Sequence, residues 1–194
     1  MKKEAVLEAI EKENIDFIYL IFSDIAGMTK KVTIPSSLME SAFEDGVWFD
    51  GSSIEGFARI CESDMLLKPD ADTFAVLPWS GSNGVCAQVI CDVHLPDETP
   101  FGGDPRTTLK QALKRARKRG FEYKVGPEIE FFLLDRESLP DLKPHDSKSY
   151  FDLGVHSRAV RICQNTMRHL HFFGQESNSY HHEVSNGQHE MDLS

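Results

Sequence analysis

The dipeptide Asn186-Gly187, set between HHEVS and QHEMD, constrains this chain more than any other pair of residues. Asn-Gly is the strongest short-range signal for a β-hairpin, because a two-residue type I′ loop needs positive φ at both central positions. Such a loop sets Ser185 opposite Gln188, Val184 opposite His189 and Glu183 opposite Glu190. Directly opposed residues have Cβ atoms roughly 4.5–5.5 Å apart. Two carboxylates held that close repel, so this register demands positive charge between them: a cation, or a Lys or Arg from another element. The alternative is a longer, irregular turn that leaves both glutamates in solvent.

A second acidic pair lies in PEIEFFLL, within a strand expected over 121–134. Glu128 and Glu130 share one face of that strand, roughly 6–7 Å apart at their Cα atoms. The same face continues as Phe132 and Leu134, and the other carries Ile129, Phe131 and Leu133. A strand apolar on both faces is expected to be buried on both, and buried carboxylates need partners. Two acidic pairs on apolar strands point to a divalent metal. All-oxygen ligation favours Mg2+ or Mn2+ over zinc. The histidines of the closing segment could contribute, whereas His145, His156, His169 and His171 read as ordinary surface or core residues.

Charge narrows the class of partner. With 31 acidic against 21 basic residues and a net charge of −10, the chain lacks the basic footprint of a generic nucleic-acid binder. The basic run KRARKRG, 114–120, closes an expected helix, where cations suit the dipole and Gly120 suits the cap. A hydrophobic content of 40% allows a packed core. No stretch approaches the ~20 apolar residues of a membrane span. The N-terminal MKKEAVLEAIEKEN is an amphipathic helix rather than a secretory signal, so the chain reads as cytoplasmic. Cys61, Cys86, Cys91 and Cys163 form no C-x-x-C pair and read as buried free thiols rather than a zinc site.

Elements follow from local signals. A helix is expected over 2–13, a hairpin over 16–35, a helix over 35–46 begun by Pro35, and strands in TFAVLPW and GVCAQVICDVHL. Strands around one helix predict a small α+β domain ending near residue 97. PDETPFGGDPR (96–106) has the breakers of a linker. Asp104 and Pro105 then start a helix with an apolar stripe at Leu109, Ala112, Leu113 and Ala116. A polar loop and a helix over 156–173, with Val160, Ile162, Cys163, Met167 and Leu170 apolar, lead into the closing segment.

KVGPEIEFFLL followed by HHEVSNGQHE, together with GVWFDGSSIEGFARICESDMLLKPDADTFAVLPW (46–79) and PFGGDPR, resembles glutamine synthetase of the bacterial and archaeal type I. The resemblance runs from about residue 14 to the end. It implies an α+β chain: a β-grasp domain over 14–97, then an incomplete catalytic domain over 104–194. Members join ammonia to the γ-carboxylate of L-glutamate, using ATP, by way of γ-glutamyl phosphate. By resemblance Glu130, Glu183 and Glu190 hold the metal nearer glutamate, and Glu128 belongs to the metal nearer the ATP phosphates. Asp50 matches the catalytic, ammonium-binding carboxylate, with Ser53 in the same DGSSI motif, and Arg59 matches a regulatory arginine of the feedback-inhibited subtype. The family assembles into rings, a dodecamer by resemblance, in which the DGSSI loop serves the adjacent subunit.

Two departures qualify these implications. Family members run well beyond twice this length and carry later metal, glutamate and nucleotide contacts, so the chain is expected to be inactive alone. Upstream of the His pair, where the family has a form FEVEAxHHEV, this chain has QESNSYHHEV. The family's ATP-binding Glu is therefore Asn178, which carries no charge. Alternatives of other kinds are a γ-glutamyl-amine ligase and a non-catalytic structural or regulatory homologue; an intact Asp50 favours ammonium, and Asn178 favours the last.

Overall fold

The computed structural model describes residues 1–52, 54, 64–79, 84–154 and 157–194. Ser53, Arg59, Cys61 and His156 lie outside the described residues. Two compact units result, Met1–Tyr123 and Lys124–Ser194.

The first unit runs α1 (Lys3–Lys12), β1 (Ile15–Ser23), β2 (Thr29–Pro35), α2 (Met39–Glu44), β3 (Val47–Asp50), β4 (Asp64–Pro69), β5 (Ala75–Val76), β6 (Val85–His94) and α3 (Pro105–Lys118). Its sheet has the order β2-β1-β6-β4-β3, with β5 also on β6. β1 and β2 form the expected antiparallel hairpin, and β1 pairs with β6 in parallel, Leu20 opposite Val89. Alternation does the sorting: Ile18, Leu20 and Phe22 of β1 and Ala87, Val89, Cys91 and Val93 of β6 are buried on one face, under Val6 of α1 and Met39, Ala42 and Phe43 of α2.

Pro35 closes β2 instead of opening a helix; a 3-10 turn, Ser36–Leu38, precedes α2. Gly46 follows α2 at φ +77°, and a Cβ there would lie 2.8 Å from Leu66 Cδ1. β3 and β4, unrecognised in the sequence, pair antiparallel, and β4 pairs with the second half of β6. Asp104 caps α3 as expected, accepting from the Arg106 and Thr107 N–H groups at 3.0 and 3.2 Å. Arg106 then bridges Asp70 and Asp92 at 2.6 and 2.8 Å, and Lys110 joins Asp92 at 2.6 Å. These contacts place the start of α3 on β6. The apolar stripe of α3 is not buried in this unit: Leu109 is 54% exposed.

The second unit comprises β7 (Glu128–Phe132), α4 (Arg158–Phe172), β8 (Ser177–His182) and β9 (Gln188–Leu193). The strands form an antiparallel sheet of order β7-β9-β8. Ser157 caps α4 by accepting from Ala159 N–H at 3.1 Å, and Ala159 and Cys163 are its buried residues. β7 is shorter than the expected 121–134 strand and is exposed, correcting the expectation of burial on both faces: Phe132 is 53% and Ile129 39% exposed. The reason is topological, since among the described residues β7 pairs on one edge only. Cys86, Cys91 and Cys163 are buried and form no disulfide, as expected. Among the described residues no helix is long and apolar enough to cross a membrane.

Candidate metal centre

The closing hairpin differs from the type I′ expectation. Gly187 has φ +69°, but Asn186 is not among the residues of positive φ, so the turn is not type I′. Gln188 N–H donates to Ser185 O at 3.1 Å across Asn186-Gly187, and Glu183 N–H donates to Gln188 O at 2.9 Å. The loop is therefore longer, and the register moves by two residues. His182 faces His189, and His181 faces Glu190. Glu183 is not directly opposite Glu190.

A shift by two keeps every side chain on its original face. Glu183 and Glu190 therefore still meet, diagonally, with His181 beside them. His181 Nε2 lies 2.9 Å from Glu183 Oε1 and 3.6 Å from Glu190 Oε2, and ligand atoms of all three fall within 4.8 Å of one another. The Phe151 ring packs against His181 at 4.8 Å between centroids. On the other edge of β9, Glu130 pairs with Glu190 and Glu128 with Asp192. Glu128, Glu190 and Asp192 form a second cluster within 4.8 Å. The Glu130 carboxylate instead accepts from Gln188 Nε2 at 2.7 Å. One sheet face thus carries Glu128, Glu130, His181, Glu183, Glu190 and Asp192. Sequence reasoning missed Asp192 as a member, although its alternation with Glu190 along β9 signals the shared face, and it left His181 unassigned.

Crowding of negative charge drives the two carboxyls apart in pKa. Burial, then the hydrogen bond with Glu183, then Glu130 and Glu128 push Glu190 up to about 6. Glu183 moves the other way: burial opposes its charge, but the Val184 N–H, the Glu190 carboxyl and His181 together hold it below the usual range. Below about pH 6 the pair therefore retains a proton that a bound cation would displace. Divalent-ion affinity is expected to fall as pH drops through about 6, with proton release on binding near that pH. Calorimetry in buffers of different ionisation enthalpy measures both; a Mn2+ affinity unchanged between about pH 5 and 7 contradicts it.

The hairpin tip is held from behind by Asp146. Its Oδ1 accepts from Gly187 N–H at 2.9 Å and contacts His182 Nε2 at 3.2 Å. A Cβ at position 187 would lie 2.8 Å from Leu133 O and 3.0 Å from Pro144 Cβ. Gly187→Ala is therefore expected to destabilise the chain by about 1–3 kcal/mol and to weaken Mn2+ binding by disturbing the register. Urea unfolding tests it, and a change below about 0.5 kcal/mol would show the tip to be tolerant.

The remaining sequence-predicted residues lie elsewhere. Asp50 ends β3, exposed, its Oδ1 accepting from Ser52 N–H at 2.8 Å. The Ser52 hydroxyl and N–H hold its carboxyl below the usual range. Asn178 sits at an irregularity of β8 between Ser177 and Ser179, exposed. Ser53 and Arg59 fall outside the described residues.

Fold and face together define an α+β protein whose second sheet presents carboxylates suited to hard divalent cations. Family comparison is specific. Residues 14–96 match the model of the glutamine synthetase beta-grasp domain, and residues 102–194 that of the glutamine synthetase catalytic domain. A glutamine synthetase of Methanosarcina mazei is 46% identical over 193 residues, covering 98% of this chain and 43% of the relative. One from Staphylococcus aureus is 44% identical over 194 residues, covering 98% and 44%. Among solved structures, a GmaS–ADP complex superposes with a TM-score of 0.84 at 25% identity, covering 97% of this chain and 43% of that one. A Plasmodium falciparum glutamine synthetase superposes at 0.80 and 22% identity, covering 100% and 44%. The chain belongs to the glutamine synthetase family, with the β-grasp fold followed by part of the catalytic domain, and spans less than half the length of these relatives.

Proposed function

We propose that this chain contributes the ammonium-site aspartate and the metal-holding sheet to a cytoplasmic glutamate–ammonia ligase, which forms glutamine from L-glutamate, ammonia and ATP through γ-glutamyl phosphate. The observation that carries the reading is the convergence of Glu183, Glu190 and His181 on one sheet face, with Glu128, Glu130 and Asp192 alongside. Glu130, Glu183 and Glu190 would hold the Mg2+ or Mn2+ nearer glutamate, and Glu128 the one nearer the ATP phosphates. A divalent ion at such a face offsets the repulsion between the γ-carboxylate and the γ-phosphoryl group and stabilises the transferring phosphoryl.

The other roles belong to side chains. Asp50, kept ionised by Ser52, binds ammonium and takes the proton that ammonium must lose before it attacks. Ser53 shapes that pocket, Arg59 serves regulation, and Asn178 meets ATP through its amide without charge. Assembly into rings brings the Asp50 loop of one subunit to the active site of the next.

A chimera tests this reading. Residues 1–194 replace the matching segment of the Methanosarcina mazei enzyme, to which they are 46% identical. The expected result is ATP-dependent glutamine formation, lost in Asp50→Asn. A chimera that assembles and binds Mn2+ yet makes no glutamine supports a non-catalytic homologue instead, the reading that the uncharged Asn178 favours. One that prefers an alkylamine to ammonia supports a γ-glutamyl-amine ligase.

A further inference from the structure

The face of the β7-β9-β8 sheet opposite the carboxylates carries a second cluster. His189 alternates with Glu190 and so points the other way. It is 2% exposed. The loop between β7 and α4 brings His145 and Asp146 against it. His145 Nε2 lies 3.0 Å from His189 Nε2 and 3.3 Å from Asp146 Oδ2, and the three ligand atoms fall within 4.8 Å of one another. We propose that His145, Asp146 and His189 form a second metal site, distinct from the carboxylate face, that takes a transition ion of the Zn2+ class through two imidazole nitrogens and one carboxylate oxygen.

Geometry and unmet bonding support it. Ligand atoms about 2.0–2.1 Å from one tetrahedral ion lie roughly 3.3 Å from each other; the His145–His189 and His145–Asp146 separations of 3.0 and 3.3 Å match that spacing, and His189 and Asp146 lie within 4.8 Å. Asp146 is anchored by its other oxygen, Oδ1, to Gly187 N–H and His182. Its Oδ2 is buried without a hydrogen-bond partner. A buried acceptor left unsatisfied costs stability, and metal ligation satisfies it. The anchoring bonds to Oδ1 are the outer contacts that orient a ligating carboxylate. His145 and Asp146 also line a cavity of about 950 Å³, which gives a bound ion an open coordination position. Two nitrogen donors select a borderline ion over Mg2+, so this site differs in metal preference from the oxygen-rich face.

The test uses the untagged 194-residue chain titrated with Co2+, a spectroscopic stand-in for Zn2+, with excess Mg2+ present to occupy the carboxylate face. Expected is one equivalent of Co2+ with the visible absorption of a low-coordinate nitrogen–oxygen site, bleached by Zn2+. His145→Gln should weaken it by about 10–100-fold, and Glu183→Gln should leave it unchanged. His145 is the informative position because its partly exposed side chain permits replacement without emptying the core; Asp146→Asn is the second variant. A spectrum that survives His145→Gln but disappears in Glu183→Gln places the ion with His181 on the carboxylate face and overturns the proposal. So does the absence of any stoichiometric Co2+ binding.

Discussion

Glu190→Gln is expected to weaken Mn2+ binding by on the order of 100-fold while making the metal-free fold more stable above about pH 6. Glu190 belongs to both carboxylate clusters, so its loss removes a candidate ligand carboxylate from each. Stability should respond in the opposite sense. The pKa of Glu190 in the fold, pushed to about 6 by burial and neighbouring carboxylates, lies above its ordinary 4.5. Its stabilising contribution is therefore complete below the ordinary value and lost as pH rises through about 6. Gln keeps the uncharged shape at every pH and relieves that repulsion. At Mn2+ about 100 times the parent dissociation constant, the parent gains about 2.7 kcal/mol and the variant about 0.4 kcal/mol. Thermal unfolding with and without Mn2+ reads the difference; equal stabilisation of both chains would remove Glu190 from the metal's ligands.

Leu20→Ala should destabilise the first unit by about 2–5 kcal/mol. Leu20 is fully buried on β1, a strand paired on both edges, with Val32 and Val89 as its partners. Close packing on all sides leaves little room for the surroundings to collapse into the void, and the cavity adds to the lost transfer free energy. Leu109→Ala is the contrast, since that side chain is 54% exposed; it should change stability by less than about 0.5 kcal/mol. Urea unfolding of the two variants distinguishes a core centred on β1 and β6 from one that includes the α3 stripe. A loss below about 1 kcal/mol for Leu20→Ala would contradict the former.

Local signals were legible because they are complete within a few residues. The 16–35 hairpin, the Asp104-Pro105 helix start and the helix ending at Gly120 each carry their own turn or cap chemistry. β3 and β4 were not, because short strands are stabilised by partners far along the chain: β4 owes its place to Cys91–His94. The carboxylate face was legible for a reason more robust than the register used to infer it. The loop around Asn186-Gly187 is longer than two residues, so the opposing residues were misassigned, yet a shift of two preserves the face and with it the meeting of Glu183 and Glu190. Asp146 could not be found this way. It comes from an aperiodic polar loop and reaches the hairpin tip through a single side chain.

The proposed function requires the β7-β9-β8 carboxylates to bind divalent metal. Electron paramagnetic resonance of free Mn2+, titrated against the wild-type chain, tests it most directly. Saturable binding is expected, competed by Mg2+ and abolished in the Glu183→Gln, Glu190→Gln double variant. Weak, unsaturable binding, the same in the wild-type chain and the double variant, would contradict it.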